Sequence, residues 1–117
     1  LTAARKGVYT LPDTIPPEWK RKYFTPNKDG THTVAPAVRN NVDFRTFNLM
    51  GPIQFRRKFD MIFCRNVMIY FDQPTKDALV RRFYDATVPS GYFMISCSEN
   101  LGANAPYRRL ATAVFQK

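Results

Sequence analysis

FDMIFCRNVMIYFD, residues Phe59 to Asp72, is the stretch of this 117-residue sequence that decides the fold. Met61 to Cys64 form an unbroken apolar run, which is typical of a strand covered on both faces. Val67 to Phe71 form a second apolar run, and only Arg65 and Asn66 separate the two. Ligands of open α/β sheets bind outside the carboxyl ends of the strands. Arg65 and Asn66 are therefore either solvated in a turn or facing a ligand that needs a cation and an amide.

Composition, length and charge limit the kinds of protein to which this chain can belong. The chain is 44% hydrophobic, and its length suits one domain or part of one. The sequence has no apolar stretch long enough to span a bilayer and no signal-peptide pattern, so we expect no membrane insertion. The first residue is Leu1 and not Met, which predicts that the chain is a fragment. A net charge of +9 predicts an acidic partner, but no nucleic-acid motif surrounds the basic residues and no nucleic acid is expected.

The cysteine pattern favours a reducing, cytoplasmic compartment. Cys64 and Cys97 both lie in apolar, strand-like contexts, where we expect buried and reduced thiols. Two cysteines fall short of a disulfide framework or a zinc site, and a lone His32 lacks partners for metal or triad chemistry. The sequence therefore predicts no metal site.

The amino-acid composition divides the chain into two segments. Residues 1–41 are rich in proline, threonine, asparagine and charge, which predicts a loop-rich segment without any long helix. Within it, Asn27 to Gly30 have the composition of a turn. The flanking Tyr23-Phe24 and Thr31 to Val34 are predicted to pair as a hairpin, the centre of a small β-subdomain insert.

Residues 42–117 have an α/β pattern, which predicts strands separated by one helix. The helix is expected from Pro74 to Thr87, with apolar residues on one face, and Pro89 to Gly91 are expected to end it. The predicted strands are Val42 to Phe47, residues 59–64, Tyr92 to Ser96 and Arg109 to Gln116. A strand, a helix and a strand at this spacing predict a βαβ unit with parallel strands.

Several motifs together resemble the C-terminal part of the CheR family of chemotaxis receptor methyltransferases. They are ARKGVYTL from Ala4, FNL from Phe47, FDMIFCRNVMIYF from Phe59, PSGYFMIS from Pro89 and SENL from Ser98. The resemblance implies a class I methyltransferase with a Rossmann-like sheet, dependent on S-adenosylmethionine. Its expected reaction is esterification of glutamate side chains on the cytoplasmic domains of chemoreceptors, with release of S-adenosylhomocysteine.

The resemblance also implies a set of site residues. Cofactor contacts would fall on Asn48 and Leu49 and on Arg65 and Asn66, where leucine can pack on adenine and amides can bind its edges. Tyr70 matches the position beside the reacting methyl group, and Arg65 would add charge complementarity. A glutamate carboxylate is already ionised near neutral pH, so its methylation needs alignment more than a strong base. The residues alone favour a turn cap for Asn48 over a cofactor contact, and they fit Tyr70 equally well as a core aromatic with its hydroxyl at the rim.

Parts of the family pattern are absent from these 117 residues. They are the helical N-terminal domain, the glycine-containing cofactor loop and the strand whose acidic end binds the ribose. The class I strand order, 3-2-1-4-5-7-6, would put the two missing strands between those at Val42 and Asp60. We therefore expect a partial sheet lacking its first two strands, an inactive fragment, and strand exchange or oligomerisation of the isolated chain.

Two further expectations concern partners. Some family members grip a C-terminal receptor pentapeptide with a hairpin rich in glycine and arginine, whereas here Gly30 has no Gly-Arg pairing beside it. The chain thus resembles the tether-independent type. The alternative function is a non-catalytic basic module that docks on an acidic protein or nucleic acid. A glycine-rich cofactor loop encoded upstream would favour the enzyme over this module.

Overall fold

The computed structural model describes all 117 residues, in two compact units of residues 1–47 and 48–117. The elements are α1 Thr2–Lys6, β1 Val8–Tyr9, α2 Pro17–Tyr23, β2 Phe24–Pro26, β3 His32–Val34, α3 Pro36–Arg39, β4 Phe59–Phe63, a 3₁₀ helix Met68–Tyr70, α4 Gln73–Asp85, β5 Thr87–Met94, β6 Arg108–Ala111 and β7 Val114–Gln116. The longest helix, α4, has 13 residues. None of the helices combines the length and the apolar character needed to cross a membrane.

The first unit holds a three-stranded antiparallel sheet in the order β1-β3-β2. The predicted hairpin is confirmed, since β2 pairs with β3 across the turn that contains Gly30. The Asn27 side-chain amide donates to the hydroxyls of Thr31 and Thr33, both at 3.0 Å, and so fixes the turn. Strand β1 was not predicted, because two residues are too short to show an alternating pattern. No helix in this unit exceeds seven residues, as the prolines indicate.

The second unit holds a four-stranded sheet in the order β4-β5-β7-β6. Strands β4 and β5 are parallel and joined by α4, which confirms the predicted βαβ unit. Strands β5 and β7, and also β6 and β7, pair antiparallel. The predicted single strand from Arg109 to Gln116 is wrong, because the chain reverses at Thr112 and Ala113 and forms a hairpin. Ala113 has a φ of 64°, in the left-handed region that such tight reversals use.

The core of this unit lies between α4 and one face of the sheet. Leu79 and Phe93 are fully buried, and the rings of Phe83 and Phe93 pack with centroids 5.4 Å apart. Burial of each large apolar side chain contributes roughly 1.5–3 kcal/mol to folding. The cluster comprises Cys64, Met68, Leu79, Val80, Phe83, Phe93, Ile95, Leu101, Tyr107 and Phe115.

The prediction that the 59–64 strand is covered on both faces is wrong. The side chains of Met61 and Phe63 are 43% and 63% exposed, whereas Ile62 between them packs against the buried cluster. Successive side chains of a strand point to opposite faces. The second unit has a single α-helix, and it covers only the face to which Ile62 points.

Three other local predictions need correction. Val42 to Phe47 form no strand, because an alternating segment becomes a strand only when its main chain finds a partner strand, and this segment has none. Pro89 to Gly91 do not separate helix from strand. They lie inside β5, where Ser90 takes a φ of 66° beside an irregularity in the pairing with β4. Cys97 is exposed in the turn after β5, whereas Cys64 is buried as predicted.

Candidate functional site

The carboxyl end of β4 turns sharply into the 3₁₀ helix. The main-chain N–H of Cys64 donates to the carbonyl of Met94 at 2.9 Å and so continues the pairing with β5 past the strand. Asn66 then takes a φ of 61°, which reverses the chain direction. Asparagine tolerates this left-handed conformation better than most residues. Residues Arg65 to Tyr70 are called the strand-end corner below.

Glu99 fixes this corner from the loop that follows β5. Its Oε1 atom accepts hydrogen bonds from the main-chain N–H groups of Asn66 at 2.9 Å and Ser96 at 3.0 Å. Burial opposes ionisation, but the hydrogen bonds from Ser96 and Asn66 prevail and lower the pKa of Glu99 below its ordinary value. Sequence reasoning missed this residue. The only signal was an acidic residue in the SENL motif, shortly after a strand.

Arg65 and Tyr70 direct their polar groups away from the core. Both side chains are exposed, Tyr70 by 80%, and neither forms a hydrogen bond or ion pair within the chain. Met68 between them is 1% exposed and anchors the corner in the buried cluster. The corner therefore presents a cation and a phenol on a fixed support. No group of three or more histidine, cysteine, aspartate or glutamate side chains is arranged to hold a metal ion.

The start of α4 contacts the loop that follows β5. Asp72 is the N-cap, and its Oδ1 accepts a hydrogen bond from the N–H of Thr75 at 2.9 Å. Lys76 donates to the carbonyl of Asn100, and Gln73 donates to that of Leu101 at 3.4 Å. The 99–102 loop thus contacts both the corner and the helix that follows it.

Asn48 and Leu49, the other two predicted cofactor contacts, lie away from the strand-end corner. Asn48 acts as a turn residue, because its Oδ1 accepts from the N–H of Met50 and its carbonyl from the N–H of Gly51, both at 3.0 Å. The carbonyl of Leu49 accepts a hydrogen bond from Arg82, in the last turn of α4. Arg82 lies nine residues after the start of α4, or about 13 Å along its axis. The structure brings Arg65, Asn66 and Tyr70 together but holds Asn48 and Leu49 at the far end of α4.

Comparison with known proteins gives one family. The family description "CheR methyltransferase, SAM binding domain" matches residues 1–114, which is nearly the whole chain. The match includes the strand-end corner, Glu99 and the hairpin of the first unit.

The curated proteins that the chain resembles have names consistent with this family. The chain is 38% identical over 104 residues to chemotaxis protein methyltransferase 1 of Pseudomonas aeruginosa, covering 86% of this chain and 38% of that protein. It is 35% identical over 120 residues to a chemotaxis protein methyltransferase of Borreliella burgdorferi, covering 100% of this chain and 42% of that protein. A chemotaxis protein methyltransferase of Salmonella typhimurium is 38% identical over 112 residues, covering 86% and 37%. The chain thus spans about two fifths of the length of these relatives.

Proposed function

Because this chain belongs to the CheR methyltransferase family and matches its S-adenosylmethionine-binding domain, we propose that it forms part of a protein-glutamate O-methyltransferase. The proposed reaction transfers the methyl group of S-adenosylmethionine to glutamate side chains on the cytoplasmic domains of chemotaxis receptors and leaves S-adenosylhomocysteine. The proposed site of action is the cytoplasm. Named relatives are chemotaxis methyltransferases, which supports the reaction class.

The strand-end corner is the observation that carries this proposal. Its exposed Arg65 guanidinium and Tyr70 hydroxyl are free of partners within the chain, at the carboxyl end of a parallel strand where open α/β sheets bind ligands. Asn66 adds a side-chain amide at the same place, which can donate to and accept from the polar groups of a nucleoside. These residues fit one side of a cofactor site. The glycine-containing loop and the ribose-binding acid of the family are absent from the 117 residues.

In this proposal the corner aligns the methyl acceptor. Bound S-adenosylmethionine supplies an electrophilic methyl group. The Tyr70 hydroxyl donates a hydrogen bond to the glutamate carboxylate and so orients its attacking oxygen, while Arg65 offsets the negative charge of that carboxylate. The carboxylate is ionised at neutral pH, so no residue of this chain needs to remove a proton.

Asn48 and Leu49 are proposed as adenine contacts on the family resemblance alone. Their present hydrogen bonds, within a turn and to Arg82, hold them at the far end of α4. Their use as cofactor contacts therefore requires the 48–53 segment to move toward the strand-end corner when the cofactor binds.

The sheet supports a partial class I fold. The resemblance implies the strand order 3-2-1-4-5-7-6. The four strands observed here, β4, β5, β7 and β6, lie in the same order as its last four strands, 4-5-7-6. Three strands of that order are missing here instead of the two predicted from the sequence, because Val42 to Phe47 form no strand. The outer edge of β4 is unpaired, so we propose that the isolated chain binds the cofactor weakly, does not methylate receptors, and tends to oligomerise or exchange strands through that edge. Calorimetry that gave micromolar affinity for this chain alone would contradict the weak binding.

The proposed partners are receptor helices that carry acidic side chains. The net charge of +9 favours association with such surfaces, and added salt should weaken it. We propose that receptor binding is independent of a C-terminal pentapeptide tether, because the turn between β2 and β3 contains Gly30 but no Gly-Arg pair. A saturable calorimetric titration with a tether pentapeptide would overturn this.

The decisive experiment compares this chain with the full-length product of its gene. Binding of S-adenosylmethionine is measured by calorimetry, and transfer of a labelled methyl group to receptor cytoplasmic domains by scintillation counting. We expect binding and transfer by the full-length protein. If it neither binds the cofactor nor methylates a receptor, the chain is part of a non-catalytic basic module, and retention on acidic protein or nucleic-acid columns then identifies its class of partner.

A further inference from the structure

Glu99 joins the ends of two neighbouring parallel strands through a single carboxylate oxygen. Its Oε1 accepts from the N–H of Asn66, three residues after the end of β4, and from the N–H of Ser96, two residues after the end of β5. The main-chain N–H of Glu99 in turn donates to the carbonyl of Ser96 at 3.1 Å, which closes the loop on the same strand end. This carboxylate therefore fixes the spacing between the two strand ends at the edge where ligands of α/β sheets bind.

The same hydrogen bond fixes the direction of the strand-end corner. Asn66 has a left-handed φ of 61°, a conformation that costs energy for residues other than glycine. A charge-assisted hydrogen bond to its N–H offsets that cost and selects this conformation over the extended one. The Arg65 and Asn66 side chains depend on this turn for their direction, since no hydrogen bond of their own holds them.

The surroundings of Glu99 are those of a positioned carboxylate. Its Oε1 is held by two main-chain N–H groups, and its second oxygen, Oε2, is buried without a hydrogen-bond partner. The titratable neighbour is Cys64, at the end of β4, whose pKa is raised first by burial and then by the charge of Glu99. Of the two glutamates in the sequence, the other is Glu18, exposed in α2.

We propose that Glu99 is a positioning residue for the cofactor, which acts by holding the Asn66 main chain so that Arg65 and Asn66 face the ligand. This inference rests on the proposed function, because it assumes that the strand-end corner binds S-adenosylmethionine. Glu99 itself touches neither the cofactor nor the methyl acceptor in this proposal.

The first test needs no cofactor. Amide resonances of the 117-residue chain are followed by NMR between pH 3 and pH 7. We expect those of Asn66 and Ser96 to shift together with one midpoint below 4.5, the ordinary pKa of glutamate, and Glu99→Gln to abolish the shared step while the other resonances stay dispersed. Glu18→Gln should leave the step unchanged. Independent shifts of the two amides, or a shared step that survives in Glu99→Gln, would refute the proposed link.

The second test uses the full-length gene product and S-adenosylmethionine. We expect Glu99→Ala to raise the Kd for the cofactor about tenfold or more, equivalent to about 1.4 kcal/mol, and Glu99→Gln to restore part of the loss because it keeps an acceptor oxygen. The KM for S-adenosylmethionine should rise with this Kd, whereas kcat at saturating S-adenosylmethionine should change far less. Equal affinities of wild type and both variants would overturn the positioning role and leave the proposed function intact. A wild-type protein that binds no cofactor would instead refute the proposed function and, with it, this role.

Discussion

The Arg82 guanidinium of α4 donates a hydrogen bond to the main-chain carbonyl of Leu49, 33 residues earlier in the chain. This contact ties the irregular 48–58 segment to the last turn of the helix. It also explains why Leu49 packs against the buried cluster although no regular structure surrounds it.

Replacing Arg82 by methionine should release this segment. The aliphatic stem of the side chain is kept, while the charged hydrogen bond is lost and the Leu49 carbonyl is left without its donor. We expect a loss of about 1.5–3 kcal/mol in the free energy of unfolding, measured by urea denaturation. The matched control is Arg81→Met, next in sequence and exposed, whose loose ion pair with Asp85 spans 3.9 Å and should contribute less than about 1 kcal/mol. Equal effects of the two substitutions would show that the contact with Leu49 does not stabilise the fold.

The region from β4 to β5 could be predicted from the sequence because its signals are local. An apolar run, a proline suited to the first helical position and helical spacing of apolar residues define strand and helix without reference to other parts of the chain. The hairpin around Gly30 is equally local. These elements therefore appear where the pattern places them, except that β5 begins at Thr87, five residues before the predicted start at Tyr92.

The segment from Val42 to Phe47 could not be predicted because its structure depends on a partner. Alternating side chains predict a strand, yet the main chain is left without a neighbouring strand to pair with. Glu99 was missed for a related reason. Its role arises only when the loops after β4 and β5 come together and bring Asn66 and Glu99, 33 residues apart in the sequence, into contact. Patterns within one segment do not carry such contacts.

Gly91 is predicted to be intolerant of a side chain. A Cβ atom there would lie 2.6 Å from the Thr87 Cγ2 atom, 2.9 Å from the Val88 carbonyl and 3.0 Å from the Asp60 carbonyl. Gly91→Ala should therefore destabilise the second unit by about 1–3 kcal/mol, because main-chain atoms must shift. The control is Gly51→Ala, where the nearest atom to the new Cβ is 3.5 Å away and φ is not positive. Thermal unfolding followed by circular dichroism should separate the variants, and equal melting temperatures would contradict the steric argument.

A buried hydroxyl chain is predicted to stabilise the junction of α4 and β5. The Thr87 hydroxyl donates to the carbonyl of Phe83 at 2.7 Å, so the Tyr107 hydroxyl, 2.7 Å from it, acts as its donor. Burial raises the pKa of Tyr107 to about 12. Tyr107→Phe should cost about 0.5–1.5 kcal/mol in urea denaturation. Tyr84→Phe is the control, since its hydroxyl forms no hydrogen bond in the structure, and a larger loss for this control would refute the assignment.

The N-cap of α4 should make the helix sensitive to acid. Hydrogen bonds from the Thr75 side chain and main chain lower the pKa of Asp72, so the ionised cap is favoured in the folded state. A lowered pKa means that this stabilisation is complete above the ordinary value of 3.8 and is lost as the pH falls through the folded-state pKa. Asp72→Asn keeps an acceptor oxygen but removes the charge. Amide exchange of the first turn of α4 should therefore depend less on pH in this variant below pH 4. Identical pH profiles would show that the charge of Asp72 is irrelevant to the helix.

The last prediction concerns Tyr70 in the full-length gene product. Because its side chain is 80% exposed and unbonded within the chain, Tyr70→Phe should leave the unfolding free energy nearly unchanged. If the hydroxyl orients the glutamate carboxylate, kcat for receptor methylation should fall roughly 10- to 100-fold, as expected when a hydrogen bond to a charged group is lost, while the Kd for S-adenosylmethionine changes little. Tyr92→Phe, on a half-exposed face of β5, is the control and should retain the wild-type rate. A full methylation rate in Tyr70→Phe would remove Tyr70 from the mechanism and leave Arg65 as the proposed contact of the carboxylate.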